Sequence, residues 1–178
     1  MLTFLRHLAS VVILPVTVAV IVPTWIAVRS GASFAPASDA WGVLLELAGV
    51  LAIAIGLALF TESLRRFASN GRGTLAPWDP PRQLVIQGPY RYVRNPMISG
   101  VLFVLVGEAL VLRSVPHAAW AATFLVINLV YIPLIEEPML EARFGEAYRE
   151  YCRHVGRVIP RLRPWTPTRS PSLPSRPA

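Results

Sequence analysis

Lysine is absent from this 178-residue chain: all 17 basic residues are arginine. Charge of either sign is scarce, 15% of residues, where an ordinary soluble domain carries about 25%. Cysteine is nearly missing as well. A lone thiol, Cys152, excludes an internal disulfide framework and any cysteine-rich metal site. His7, His117 and His154 are scattered, without the spacing that brings two imidazoles to one ion, so no metal is expected. There is no Walker loop, no dinucleotide-binding glycine fingerprint after a strand and no Ser-His-Asp order. These absences argue against a soluble α/β enzyme, a disulfide scaffold and a zinc protein. What is present in quantity is apolar: 54% of residues are hydrophobic and mean hydropathy is +0.51. An all-α integral membrane protein is the class that remains.

Four stretches approach the roughly 20 apolar residues that a hydrocarbon core requires. They are residues 8–28, 41–60, 96–112 and 118–135. The first is too long in its apolar part for a signal peptide and lacks a clean cleavage site. It contains Pro15 and Pro23, which membrane helices tolerate where neighbours re-satisfy the backbone. Only five residues, Arg113 to His117, separate the last two stretches, so they form a tight antiparallel hairpin.

Arginine placement gives the orientation. The N-terminal stub, the connection between the second and third stretches and the C-terminal tail hold fifteen arginines; the opposite side holds Arg29 and Arg113. The positive-inside rule then places both termini in the cytoplasm. Topology accounts for the pI of about 10.7, so no nucleic-acid partner is inferred. All-arginine usage with abundant alanine and proline suggests a bacterial, GC-rich source and hence a multi-pass protein of the inner membrane.

Residues 61–95 read as a polar, Gly/Pro-rich connection with turns at 71–74 and 77–81 and a brief apolar run, Leu84-Val85-Ile86. Asn95-Pro96 has the form of a helix start, with asparagine as the cap and proline in the first turn. Residues 138–153 read as a cytosolic amphipathic helix, with Leu140, Phe144, Ala147, Tyr148 and Tyr151 on one face. Cys152 falls on it as a packing residue. The tail at 166–178 has almost nothing to bury and is expected to be disordered. No internal repeat is evident. The organisation is thus an N-terminal membrane part (1–70), a C-terminal core (71–165) and the tail.

Two clusters carry chemistry. In Gly88-Pro89-Tyr90-Arg91-Tyr92-Val93-Arg94-Asn95-Pro96, arginines, aromatic rings and a helix start converge. This is either an interfacial anchoring belt or a site for carboxylate or phosphate. Glu136-Glu137-Pro138 sets two carboxylates at the end of a span, as a cap for the next helix or as partners for Arg94 or a ligand. Glu46 and Glu108 lie within apolar stretches, where a carboxylate is functional, protonated or within reach of water. Glu108 is five residues from Arg113, near enough to the end of the stretch to snorkel toward water. Asn128 is read as an interhelical hydrogen-bond donor.

The segment from Gly88 to Gly100, then Glu136-Glu137, then Phe144-Gly145-Glu146-Ala147-Tyr148-Arg149-Glu150-Tyr151, resembles the isoprenylcysteine carboxyl methyltransferase-like family and the wider group of membrane phospholipid methyltransferases. The resemblance covers residues 71–164. It implies an integral membrane enzyme that transfers a methyl group from S-adenosyl-L-methionine to a lipophilic acceptor entering from the bilayer. The family's Arg-His-Pro motif falls on Arg94, Asn95 and Pro96, its glutamate pair on Glu136 and Glu137, and its Phe-Gly-x-x-Tyr-x-x-Tyr pattern on Phe144, Gly145, Tyr148 and Tyr151. The resemblance implies catalytic roles for Arg94 and Glu137. Cofactor-binding roles go to Tyr90, Arg94, Asn95, Pro96, Gly100, Glu136, Glu137, Phe144 and Tyr148, while Ile98, Glu108 and Asn128 are substrate-side candidates. Asn95 stands where histidine is usual and Ile98 where tyrosine is common, so prenylcysteine specificity does not carry over. Two other readings stay open: a non-catalytic membrane protein binding a lipid or a partner, and a membrane reductase using a nicotinamide cofactor.

Overall fold

A computed structural model describes residues 12–70 and 83–166. Residues 8–11, the turns at 71–81, Arg72, Arg82 and the tail from 167 lie outside the described residues. Among those described, the chain is helical apart from turns and one isolated parallel bridge, Val93 with Gly156.

The chain enters as a wide π-helical segment, Val12–Ile21, which tightens into α1 (Val22–Ser30). Pro23 has no N–H to offer the Val18 carbonyl five residues earlier. Trp120 Nε1 donates to that carbonyl instead, at 3.0 Å. The carbonyl of Pro23 in turn lies 3.1 Å from Nε2 of buried His117. A carbonyl can only accept, so Nε2 carries the proton and Nδ1 accepts from the Ser114 hydroxyl at 2.7 Å. The carbonyl that Pro23 leaves free is thus re-satisfied by the C-terminal hairpin.

The long helix α2 (Ala40–Asn70) packs along α3 (Pro96–Val111), the most extensive helix contact in the molecule. The seam is made of glycines seven residues apart. A Cβ on Gly49 would sit 2.8 Å from the Gly107 carbonyl oxygen, and one on Gly56 would sit 2.6 Å from that of Gly100. The reciprocal approaches are 2.6 and 2.8 Å, so both backbones touch where side chains would stand. Fully buried Ser63 continues the row on α2, and buried Ser114 lies seven residues beyond Gly107. The same seven-residue spacing runs through Gly42, Gly49 and Gly56 on one helix and Gly100 and Gly107 on the other. Helix α2 also runs ten residues past the expected end at 60. Glu62 pairs with Arg66 at 2.7 Å across one turn and with Arg65 at 3.5 Å, which keeps helical a segment assigned to the connection.

Three residues, 112–114, with Arg113 at φ 46°, turn α3 into α4 (Val115–Tyr131), forming the expected tight hairpin. The amphipathic helix expected at 138–153 is not one element. Helix α4 continues through a wide π turn at Ile132–Glu136 into α5 (Glu137–Phe144). Pro133 and Pro138 remove two backbone donors, and the wider turn accommodates the loss. Gly145, at φ 55° and ψ −129°, then breaks the path before α6 (Glu146–His154).

Ala40–Ser69 and Val115–Phe144 are long and apolar enough to cross a membrane; Pro15–Ser30 and Pro96–Val111 are apolar but shorter. Trp25, Val28, Leu47, Leu51, Ile127 and Leu134 are all exposed. An apolar girdle of this extent suits hydrocarbon, not water. Two cores hold the helices together. One joins Val101, Leu105 and Ala121 with Val18, Phe60 and Trp120. The other joins Ile86, Tyr148, Tyr151 and Val155 with Leu84, Phe144 and Trp165.

Candidate functional site

Gly88, at φ 54°, opens a 3-10 turn over Gly88–Arg91, and a Cβ there would press on the Arg66 side chain at 3.3 Å. The Pro89 carbonyl accepts from Tyr92 and Val93 at 3.0 and 3.2 Å, which delivers Arg94 to the start of α3. Asn95 occupies the cap position, as expected, but its side chain makes no capping bond. Its carbonyl instead receives the Ser99 N–H and hydroxyl, each at 3.1 Å. The amide group is left facing a cavity.

That cavity, of about 530 Å³, runs between α2, α3, α4 and the loop preceding α3. It gathers Tyr90, Arg94, Asn95, Pro96, Glu136, Phe144 and Tyr148, seven of the nine cofactor-binding candidates, together with Ile98 and Asn128. Asn128 does not reach another helix, contrary to the interhelical reading: its Nδ2 donates to the Phe124 carbonyl one turn back, at 2.8 Å. Gly100 lies away from the cavity, packed against α2 as described above. Glu108 also lies outside it, with Oε2 buried and without a hydrogen-bond partner among the described residues. Arg113 has Glu46 as its carboxylate partner, at 3.3 Å.

The two adjacent glutamates take different places. Glu136 lines the cavity and makes no hydrogen bond or ion pair among the described residues. Glu137 lines a separate polar cleft of about 420 Å³, beside Arg149, Arg153 and Cys152. Its carboxylate accepts two hydrogen bonds from Arg157, at 2.7 and 2.6 Å, and forms an ion pair with Arg94 Nη1 at 2.9 Å. Arg94 borders both spaces, and only 12% of its side chain is exposed. Its Nη1 donates to Cys152 Sγ at 2.8 Å, while Nε is buried without a partner among the described residues. Two guanidiniums on one carboxylate leave a net positive charge. Burial and the nearby Glu136 push the Tyr90 phenol well above its ordinary value, and burial does the same to Tyr148 and Tyr151. These rings are neutral at physiological pH.

Several lining groups were not anticipated. Phe60 and Phe67 come from the C-terminal half of α2, seven residues apart on one face, a spacing visible in the sequence. Gln83, Leu84, Met139 and Tyr131 carried no distinguishing signal.

A helical membrane protein with a deep apolar cavity, headed by a buried arginine and a free carboxylate, is the class that fold and site define. The phospholipid methyltransferase family matches residues 45–147, and the chain belongs to that family. A methanethiol S-methyltransferase from Pseudomonas deceptionensis is 36% identical over 74 residues, 42% of this chain. The chain spans only 27% of that relative's length. No solved structure matches.

Proposed function

We propose that this protein is an S-adenosyl-L-methionine-dependent methyltransferase acting on a lipophilic or small membrane-partitioning acceptor. One observation carries the reading: Arg94, whose buried Nε has no partner among the described residues, and Glu136, a carboxylate likewise without one, border the same largely apolar cavity. Opposite charges on the wall of one largely apolar space fit the carboxylate and ammonium of an amino acid whose remainder is less polar. Arg94 would hold the carboxylate, with the Asn95 amide beside it, and Glu136 the ammonium. Glu137 serves Arg94 by fixing the plane of its guanidinium.

When bound, S-adenosylmethionine supplies a methyl group on a sulfonium. The chain's part is alignment and exclusion of water. Tyr90, Tyr148 and Phe144 present uncharged rings, whose faces favour positive charge. The apolar walls from Phe60, Phe67 and Phe124 keep hydroxide and water from competing with the acceptor. Holding two reactants in line supplies much of the rate, and no acid–base pair is needed. Ile98 and Asn128, deeper in the cavity, would face the acceptor; the relative's thiol substrate makes small thiols the first acceptors to assay, beside amine headgroups.

The proposed topology has four crossing segments in a bacterial inner membrane, with both termini cytoplasmic, supported by fifteen arginines on that side against two. Residues 1–70 are the scaffold and 71–165 the cofactor core, with Phe60 and Phe67 reaching across that boundary.

Calorimetry with S-adenosylmethionine and detergent-purified protein tests the reading. Micromolar binding that weakens in Arg94→Ala and Glu136→Ala supports it. Absence of binding in folded protein would overturn it and leave a non-catalytic lipid- or partner-binding protein.

A further inference from the structure

The family match ends at residue 147, yet the chain beyond it returns to the site. After α6, residues 155–166 run back along the loop that carries Arg94. Val93 bridges Gly156, the Arg94 N–H donates to the Gly156 carbonyl at 2.9 Å, Arg161 N–H to Tyr92 at 2.9 Å, and Trp165 N–H to Arg91 at 3.0 Å. Gly156 is held so closely that a Cβ would meet the Ile159 carbonyl at 2.7 Å. The far end is clamped by Trp165 stacked on His154, with centroids 5.0 Å apart and planes 10° from parallel, and by Arg91 Nε on the Trp165 carbonyl at 2.8 Å. This strap is a built element of the site.

We infer that the strap's Arg157 is a positioning residue for Arg94, acting through Glu137. Arg157 grips Glu137 with both ends of its fork, so that carboxylate cannot rotate. Glu137 then offers Oε1 to Arg94 in one orientation, which sets where the guanidinium stands against the cavity wall. Arg157 also supplies the second positive charge that satisfies Glu137. Without it, Glu137 draws Arg94 into a one-to-one pair, away from Cys152, and Arg94 loses its surplus charge toward a ligand. Arg157 lines neither the cavity nor the cleft, but its charge also reaches Cys152 and Tyr148 directly, an effect that would persist in a Glu137→Gln background.

The inference rests on the proposed cofactor role of Arg94, but one readout is independent of it. Cys152 is the chain's single cysteine, and its Sγ accepts from Arg94 Nη1 at 2.8 Å. Its alkylation by a maleimide therefore reports on Arg94 in the ligand-free protein, because the guanidinium stands against the sulfur. The experiment compares the full-length wild type, Arg157→Ala, Arg157→Lys, Glu137→Gln and the double variant, in detergent. Arg157→Ala should change the alkylation rate about threefold or more as Arg94 leaves the sulfur. It should weaken S-adenosylmethionine binding about tenfold, with kcat at saturation changed far less. Arg157→Lys should fall between, since a single ammonium cannot reproduce the fork.

In the Glu137→Gln background, Arg157→Ala should add only that direct effect, far less than in the wild type, the signature of two groups acting mainly through one contact. Full additivity would overturn the inference. So would unchanged alkylation. If Arg157→Ala does not fold, the double variant, which leaves no unpaired carboxylate, and Arg157→Lys still decide. Failure of the wild type to bind S-adenosylmethionine would sink the proposed function, while the alkylation series would still decide the positioning role.

Discussion

Helix α3 has an arginine–glutamate pair at each end, and the two pairs differ in a way that separates scaffold from site. At the C-terminal end, Arg113 pairs with Glu46 at 3.3 Å. The Glu46 carboxylate also accepts the Ala37 N–H at 2.8 Å, and Arg113 Nη2 donates to the Ala35 carbonyl at 2.6 Å. Charges balance one to one, the neighbours are backbone groups, and neither residue borders the cavity. At the N-terminal end, Arg94 shares Glu137 with Arg157, keeps an unused buried N–H and forms part of the cavity wall. Glu46 and Glu137 are equally exposed, 17% each, so burial of the carboxylate does not tell the pairs apart. What does is an unbalanced charge beside open volume, which a satisfied pair lacks.

The change that should break both ends together is in the seam from which they hang. Gly56→Leu drives a side chain into the Gly100 carbonyl. It should cost about 3 kcal/mol or more, and size-exclusion chromatography in detergent should show loss of the folded peak. Next in size is Arg94→Ala. One or two charged hydrogen bonds lost are about 1.5–3 kcal/mol, so S-adenosylmethionine affinity should fall between tenfold and a hundredfold by calorimetry, with the circular dichroism spectrum retained. Glu136→Gln keeps the shape and removes the charge; it should weaken the same binding about tenfold and leave the melting temperature unchanged.

The smallest effect sharpens the comparison most. Arg113→Ala should lower stability by about 1 kcal/mol in denaturant titration while leaving cofactor affinity as in the wild type. If it lowered affinity as much as Arg94→Ala does, the distinction between the two ends would fail.

Much of this was legible in the residues. Runs such as 41–60 and 118–135 have hydrocarbon length and one physical use, and Arg94, Asn95, Tyr90 and Tyr148 stood out because charge and aromatic rings cluster at a helix start and around a helix break. The two glutamates illustrate the limit. Side by side in sequence, Glu136 and Glu137 are chemically equivalent, but on a helix they point about 100° apart, and the structure sends one to the cavity and the other to Arg157. The glycine row was readable but unread: Gly49, Gly56, Gly100 and Gly107 each look like ordinary small residues until their sevenfold spacing is paired across two antiparallel helices. Arg157 is one of eight arginines after residue 135, with nothing local to mark it.

The sequence by itself determined what is set by composition and by neighbours along the chain: the apolar runs, the hairpin turn, the arginine asymmetry and the residues able to bind charge. Tertiary structure alone decided which carboxylate stays free, which arginine lies against another's carboxylate partner, and that residues 155–166 run back along the loop that carries Arg94. Those depend on contacts between groups 20 to 75 positions apart, such as Glu137 with Arg157 and Arg91 with Thr166. No local pattern encodes such contacts, because they exist only once the glycine seam has brought the helices together.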